Sequence, residues 1–257
     1  MFGVVPKALW EKTNPADDKN RIDMSARCLL IEDGKKLILV DAGLGDKQSE
    51  KFFSHYSRWG DRTLVDSLKA EGFSPDDITD VFFTHLHFDH CGGSTRLDRA
   101  GNIVPTFPKA TYYIQRSCWE DAQNPNERCS AFHREENFMP IEEKSQLELL
   151  DGDTEILPGL NLVVTDGHAI GHQMVLFNHG GERVVFLGDI VPTHHHLNLP
   201  VISAFSFSPE ETLQRKKEIL SEAEQQGWLI VFSHGTDTKA GYLERRGNTT
   251  YLRPVEL

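Results

Sequence analysis

The tightest constraint on the fold is the placement of four short polar clusters: Thr84-His85-Leu86-His87-Phe88-Asp89-His90, Thr165-Asp166-Gly167-His168, Leu187-Gly188-Asp189 and Phe232-Ser233-His234. Each directly follows a run of β-type residues, and ionisable side chains at the ends of apolar strands are costly unless they share a partner. If the runs are neighbouring strands, five histidines and two aspartates from these clusters converge on one edge of the sheet. The scaffold must therefore be rich in strands.

The remaining sequence fits that demand. Cys28–Glu32 and Lys36–Asp41 flank Asp33-Gly34-Lys35 as a β-hairpin. A helix is expected over Thr63–Glu71, a helical turn from Ser74-Pro75, and strands at Val81–Phe83 and Ala110–Ile114. A polar and aromatic excursion, Gln115–Glu143, comes before further short strands at Leu160–Thr165, Gln173–Asn178, Val184–Leu187 and Trp228–Phe232. Between the last two, Ser208 as N-cap with Glu211 in a capping box, Pro209, inward Leu213, Ile219, Leu220 and Ala223, and Gly227 as stop define one long helix. The pattern predicts an α+β fold, a β-sandwich covered by helices, as a single domain over residues 1–257.

The chain has 257 residues, 39% of them hydrophobic, enough for a sizeable core, and it shows neither an export signal nor an apolar run long enough to cross a bilayer. A cytoplasmic protein without membrane attachment is expected. Lys and Arg total 27 against 39 Asp and Glu, a net charge of −12 that disfavours nucleic acid as a partner. Arg215-Lys216-Lys217 lies within an acidic helix and is expected to form a solvated face. Cys28, Cys91, Cys118 and Cys129 lack metal-type spacing and read as buried thiols, with Cys91 beside a candidate ligand.

In an extended segment His85 and His87 point to the same side and can chelate one ion, while Asp89 and His90 reach toward a second. Gly92-Gly93 gives the backbone freedom to leave the loop. Asp189 offers two carboxylate oxygens to bridge the ions, and His168 and His234 complete the shells. An imidazole and carboxylate set without thiolates suits two divalent metal ions, zinc best, with manganese, iron or cobalt compatible.

With these residues in place, the chain resembles the metallo-β-lactamase superfamily. Its His-x-His-x-Asp-His signature corresponds to His85, His87, Asp89 and His90, and its Gly-His-x-x-Gly-His segment to Gly167–His172. The resemblance implies a four-layer αββα sandwich, one metal held by His85, His87 and His168, the other by Asp89, His90 and His234, and Asp189 between them. It also implies that His172 supports the site without ligating, and that Asp41 either orients a ligand histidine or caps the turn beneath it. The implied chemistry is hydrolysis by a metal-bridging hydroxide, with Asp89 as general acid and base.

Within the superfamily the chain looks like the branch containing N-acyl homoserine lactonases and methyl parathion hydrolase. One departure stands out: those lactonases carry a tyrosine three residues after the bridging aspartate, and this chain has Pro192. Of His194, His195 and His196, the last is the expected catalytic replacement donor. Trp119, Phe132–Phe138, Phe88 and Phe205 are candidates to wall an apolar pocket. The expected substrate is a small ester, lactone or related molecule. The alternatives are an iron-dependent persulfide dioxygenase-like oxidoreductase, or an organophosphate or phosphodiester hydrolase. A homodimer using Gln115–Glu143 is left open.

Overall fold

The computed structural model describes residues 1–247 and 249–256, in two compact units: residues 28–150, and residues 1–27 with 151–257. The chain opens on a single helical turn, α1 (Lys7–Trp10), belonging to the second of these.

In the unit of residues 28–150, β1 (Leu29–Asp33) and β2 (Lys36–Val40) form the expected hairpin, with Gly34 at φ +59° in the turn. The chain then crosses over through α2 (Glu50–Tyr56) and α3 (Leu64–Ala70), so that β3 (Asp80–Phe82) runs parallel to β2. Thr63 caps α3 in a reciprocal box with Asp66. After α4 (Phe88–Cys91) a small hairpin, β4 (Thr95–Leu97) and β5 (Ile103–Pro105), precedes β6 (Thr111–Gln115). The excursion Gln115–Glu143 contains α5 (Arg116–Gln123) and α6 (Met139–Glu143), and β7 (Leu147–Leu150) completes a mixed sheet of order β1-β2-β3-β6-β7. Leu39, Val81, Tyr112 and Ile114 of this sheet pack with Leu68 of α3, Trp119 of α5 and Ile141 of α6 in one apolar core.

In the other unit the sheet order is β14-β13-β12-β11-β10-β9-β8, built from β8 (Thr154–Leu157), β9 (Leu160–Val164), β10 (Gln173–His179), β11 (Glu182–Phe186), β12 (Leu229–Val231), β13 (Ala240–Arg246) and β14 (Thr249–Val255). Only β11 and β12 pair in parallel; the other neighbours are antiparallel. Their crossover is α7 (Pro209–Gln226), capped by Ser208, which accepts from Glu211 N, and stopped by Gly227 at φ +67°. Ile219 and Ala223 of α7 bury against Leu176, Val185, Trp228 and Ile230, while Leu213 stays half-exposed.

Two expectations are corrected. The four clusters do not share one sheet: the first follows β3, and the other three belong to the seven-stranded sheet. Lys216 is not on a solvated face; its side chain is fully buried, and its ammonium donates to the carbonyls of Asn198 and Val201, both at 2.8 Å. The basic triplet spans three directions around a helix, so its middle member turns inward while its neighbours remain outside.

Burial without a carboxylate partner pushes Lys216 down to about 7. Between that value and the unfolded lysine's 10.5 the unfolded chain holds the extra proton, so stability rises with pH across this window. From pH 7 to pH 9 the rise from this group is about 2 kcal/mol. Lys216→Met is expected to flatten it, as read from melting temperatures of both proteins across that range.

Candidate metal centre

Parallel pairing explains why the first cluster meets Asp41. The C-terminal ends of β2 and β3 lie side by side, with Asp41 N donating to Phe82 O at 2.9 Å, so the residues following both strands emerge at one sheet edge. Asp41 adopts a left-handed φ of +57°. Its Oδ1 accepts from Thr84 N at 2.7 Å, and its Oδ2 from His90 Nδ1 at 2.7 Å and Thr84 Oγ1 at 2.9 Å. Since the Thr84 hydroxyl donates to Asp41, His85 Nδ1 at 3.0 Å is the donor to Thr84 Oγ1. One buried carboxylate thus fixes the tautomer of both His85 and His90, directing Nε2 to metal chemistry. It both caps the turn and orients a histidine.

The three imidazoles of this cluster are buried and mutually close, with ring centroids of His85 4.4 Å from His87 and 4.2 Å from His90. Asp89 is more open, its side chain 31% exposed, with Oδ2 3.9 Å from His90 Nε2. Gly92 and Gly93 serve close approach, not unusual backbone angles. A Cβ on Gly92 would sit 2.1 Å from Leu44 O, and one on Gly93 2.2 Å from Ala42 O, so only glycine lets the motif loop lie against residues 42–45. The Cys91 thiol behind them is fully buried, which raises its pKa and keeps it protonated. All four cysteines are free thiols.

The second group assembles in the seven-stranded sheet by the same logic. β9 ends where β10 begins, and β11 and β12 end at that edge too, so the loops carrying His168, Asp189 and His234 are neighbours. Asp189 Oδ1 lies 2.9 Å from His234 Nε2, and Oδ2 lies 3.4 Å from His168 Nε2, so one carboxylate addresses two imidazoles with its two oxygens. His234 Nδ1 donates to Ser25 O at 2.7 Å, while Ser233 Oγ donates to Asp189 Oδ1 at 3.1 Å. His172 is a support: its Nε2 accepts from Asp189 N at 3.0 Å and its Nδ1 contacts Thr165 Oγ1 at 2.5 Å. Gly167, at φ +74°, lets this loop lie against Thr212 at the start of α7.

The donor set fits divalent metal ions. In His85, His90 and His234 an oxygen partner occupies Nδ1, and Nε2 is the atom turned to a ligand role. Asp41→Asn is expected to weaken metal binding about 10- to 100-fold. Competition with a chromogenic chelator measures this, and unchanged affinity would remove Asp41 from the site's support.

His196 is turned away from solvent, and its one ring donor is spent on the backbone. It is 1% exposed, accepts from Thr193 Oγ1 at 2.8 Å, donates from Nε2 to Met1 O at 3.2 Å, and stacks on Phe2 with centroids 5.2 Å apart. Burial pushes its pKa down to about 3, and with both nitrogens engaged the ring anchors the turn His194–Leu197. The catalytic part expected of it gives way to a packing one.

Expected pocket aromatics also sort differently. Trp119 and Phe138 are core residues, in edge contact at 5.3 Å. Phe88 instead joins Phe52 at 5.4 Å and Tyr56 at 4.8 Å from α2, with the Arg134 guanidinium 4.2 Å from the Phe52 ring. His87 lies 5.1 Å from Phe132 and 5.3 Å from His133, two residues of the excursion, whose Phe132 O accepts from Phe88 N at 2.9 Å. Neither α2 nor His133 carries a local signal in the sequence. Phe52-Phe53 is a short apolar pair without a strand or helix period, and His133 is a lone histidine in a loop.

The chain is similar to known proteins over most of its length. A family model described as the metallo-beta-lactamase superfamily matches residues 22–234. An N-acyl homoserine lactonase of Bacillus cereus is 27% identical over 235 residues, 86% of this chain and 86% of its own length. A probable metal-dependent hydrolase from Staphylococcus aureus superposes with a TM-score of 0.89 at 30% identity, covering 100% of this chain and 92% of that one. An N-acyl homoserine lactone hydrolase, solved with the product N-hexanoyl-L-homoserine at its catalytic metal centre, superposes with a TM-score of 0.68 at 26% identity over 88% of each chain. Among the described residues no helix is long and apolar enough to cross a membrane.

Proposed function

This chain belongs to the metallo-beta-lactamase superfamily and is a metal-dependent hydrolase, and from that premise we propose that it opens small esters or lactones with a pair of metal ions. The pair would be held by His85, His87 and His168 on one side and Asp89, His90 and His234 on the other, with Asp189 shared, the whole chain acting as one catalytic domain. When bound, such a pair supplies Lewis acidity, bringing water to a hydroxide-forming pKa near neutral pH and polarising the substrate's carbonyl. Zinc suits the imidazole and carboxylate donors best.

The observation that carries the reading is Asp189: a buried carboxylate whose two oxygens face two different imidazoles, with its own N–H held by His172. Asp89, the more open carboxylate, is suited to take a proton from the attack and return it to the leaving group. Phe88, next to Asp89 in sequence, packs with Phe52 and Tyr56, and this aromatic group offers an apolar wall for an acyl or alkyl substituent. Burial first, and the Asp89 charge second, raise the Tyr56 pKa, so its hydroxyl stays neutral. The acidic chain, at net charge −12, disfavours polyanionic substrates. Small lactones cleaved by the relatives are the first compounds to test.

A panel of lactones, carboxylic esters, phosphotriesters, phosphodiesters and nucleotides, run on metal-loaded protein, tests the reading. Turnover of lactones or esters is expected. Hydrolysis of nucleotides alone would refute it.

A further inference from the structure

Outside the site described above, one group of possible ligands stands among the described residues of the unit 1–27 and 151–257: His194, His195 and Asp237. One donor atom from each lies within 4.8 Å of the others. His194 Nδ1 is 3.7 Å from Asp237 Oδ1, too long for a hydrogen bond, and among the described residues this buried nitrogen has no hydrogen-bond partner. The two imidazoles lie against each other with centroids 3.8 Å apart and planes tilted by 41°. We propose that His194, His195 and Asp237 form an accessory site for a borderline divalent transition-metal ion, zinc foremost.

The turn carrying the two histidines is fixed from below, since His196 is buried with both ring nitrogens bonded, so His194 and His195 are presented on a rigid piece of backbone. Four-coordinate zinc, with bonds of about 2.0–2.2 Å to nitrogen and oxygen, needs donors roughly 3.4 Å apart. Asp237 Oδ1 accepts from Thr238 N at 3.0 Å, and rotation of this 62% exposed side chain about that contact would bring a carboxylate oxygen to ligand distance. Two nitrogen donors select zinc, copper or nickel over magnesium and calcium, which favour all-oxygen shells. The open side at Asp237 leaves room for water to complete coordination. A metal here would tie the turn His194–Leu197 to the loop after β12 and stabilise the folded form by mass action.

The test uses zinc-replete protein passed through a desalting column, so that only tightly held ions remain. Calorimetric titration with zinc is expected to show one further equivalent per chain, with shifts of the His194 and His195 imidazole signals in 1H–15N spectra, and with a rise in melting temperature. Magnesium is expected to give none of these. His195→Gln and Asp237→Asn should each weaken the added equivalent at least tenfold, while leaving the tightly held metal and the melting temperature before zinc addition unchanged; Asp237 is exposed enough that its substitution threatens no packing. Absence of an added equivalent in the wild type, or its survival in both variants, would overturn the assignment. Because tightly held metal is counted separately, failure here and failure of the proposed hydrolytic centre are distinguishable.

Discussion

Replacing Asp189 by alanine is expected to lower kcat/KM by at least about 1,000-fold, some 4 kcal/mol of transition-state stabilisation, and to deplete bound metal. The size follows from what the side chain does at once. Its Oδ1 faces His234 Nε2 at 2.9 Å and accepts from Ser233, while its Oδ2 faces His168 Nε2 at 3.4 Å. Alanine would remove the negative charge proposed to offset the two metal ions and the oxygen partner shared by both imidazoles. A peripheral role for Asp189 would show as activity within tenfold of the wild type and unchanged metal content.

Asp89→Asn is expected to lower kcat about 10²- to 10⁴-fold, the range for loss of a positioned proton-transfer group, with a smaller change in KM. Asp89 and Asp189 differ in exposure, 31% against 8%, and the proton carrier needs the more open position. Proton donation to the leaving group makes a further distinction. Esters with poor leaving groups should suffer more from the substitution than activated aryl esters, which depart without help. Equal losses for both kinds of ester would confine Asp89 to metal binding.

The candidate centre was legible in the sequence because its proposed ligands sit immediately after strands. A strand's apolar run is visible, and so is a histidine or aspartate that interrupts it. His85, His87, His90, His168 and His234 were readable in this way as candidates, whereas the support expected of His172 came from the family resemblance, and the ring accepts from Asp189 N. Asp41 was readable as a strand-end aspartate, but not that it would hold His90 directly and His85 through Thr84. What stayed hidden depends on tertiary neighbours. The two-sheet division of the clusters arises from strand order, which no local pattern encodes. The strands β13 and β14 lack a clear apolar alternation because their cross-strand partners include an Arg253–Glu244 ion pair at 2.6 Å and the Arg253 guanidinium over Tyr242. His196 and Lys216 look like polar surface residues in sequence, and both are buried through hydrogen bonds to backbone carbonyls of distant segments.

Metal analysis of protein purified without added metal, paired with lactone and ester hydrolysis by the same sample, tests the central claim most directly. Two equivalents of zinc per chain, with hydrolysis lost on chelation and restored by zinc, is the predicted result. One equivalent of iron, with oxygen uptake in place of hydrolysis, would contradict it.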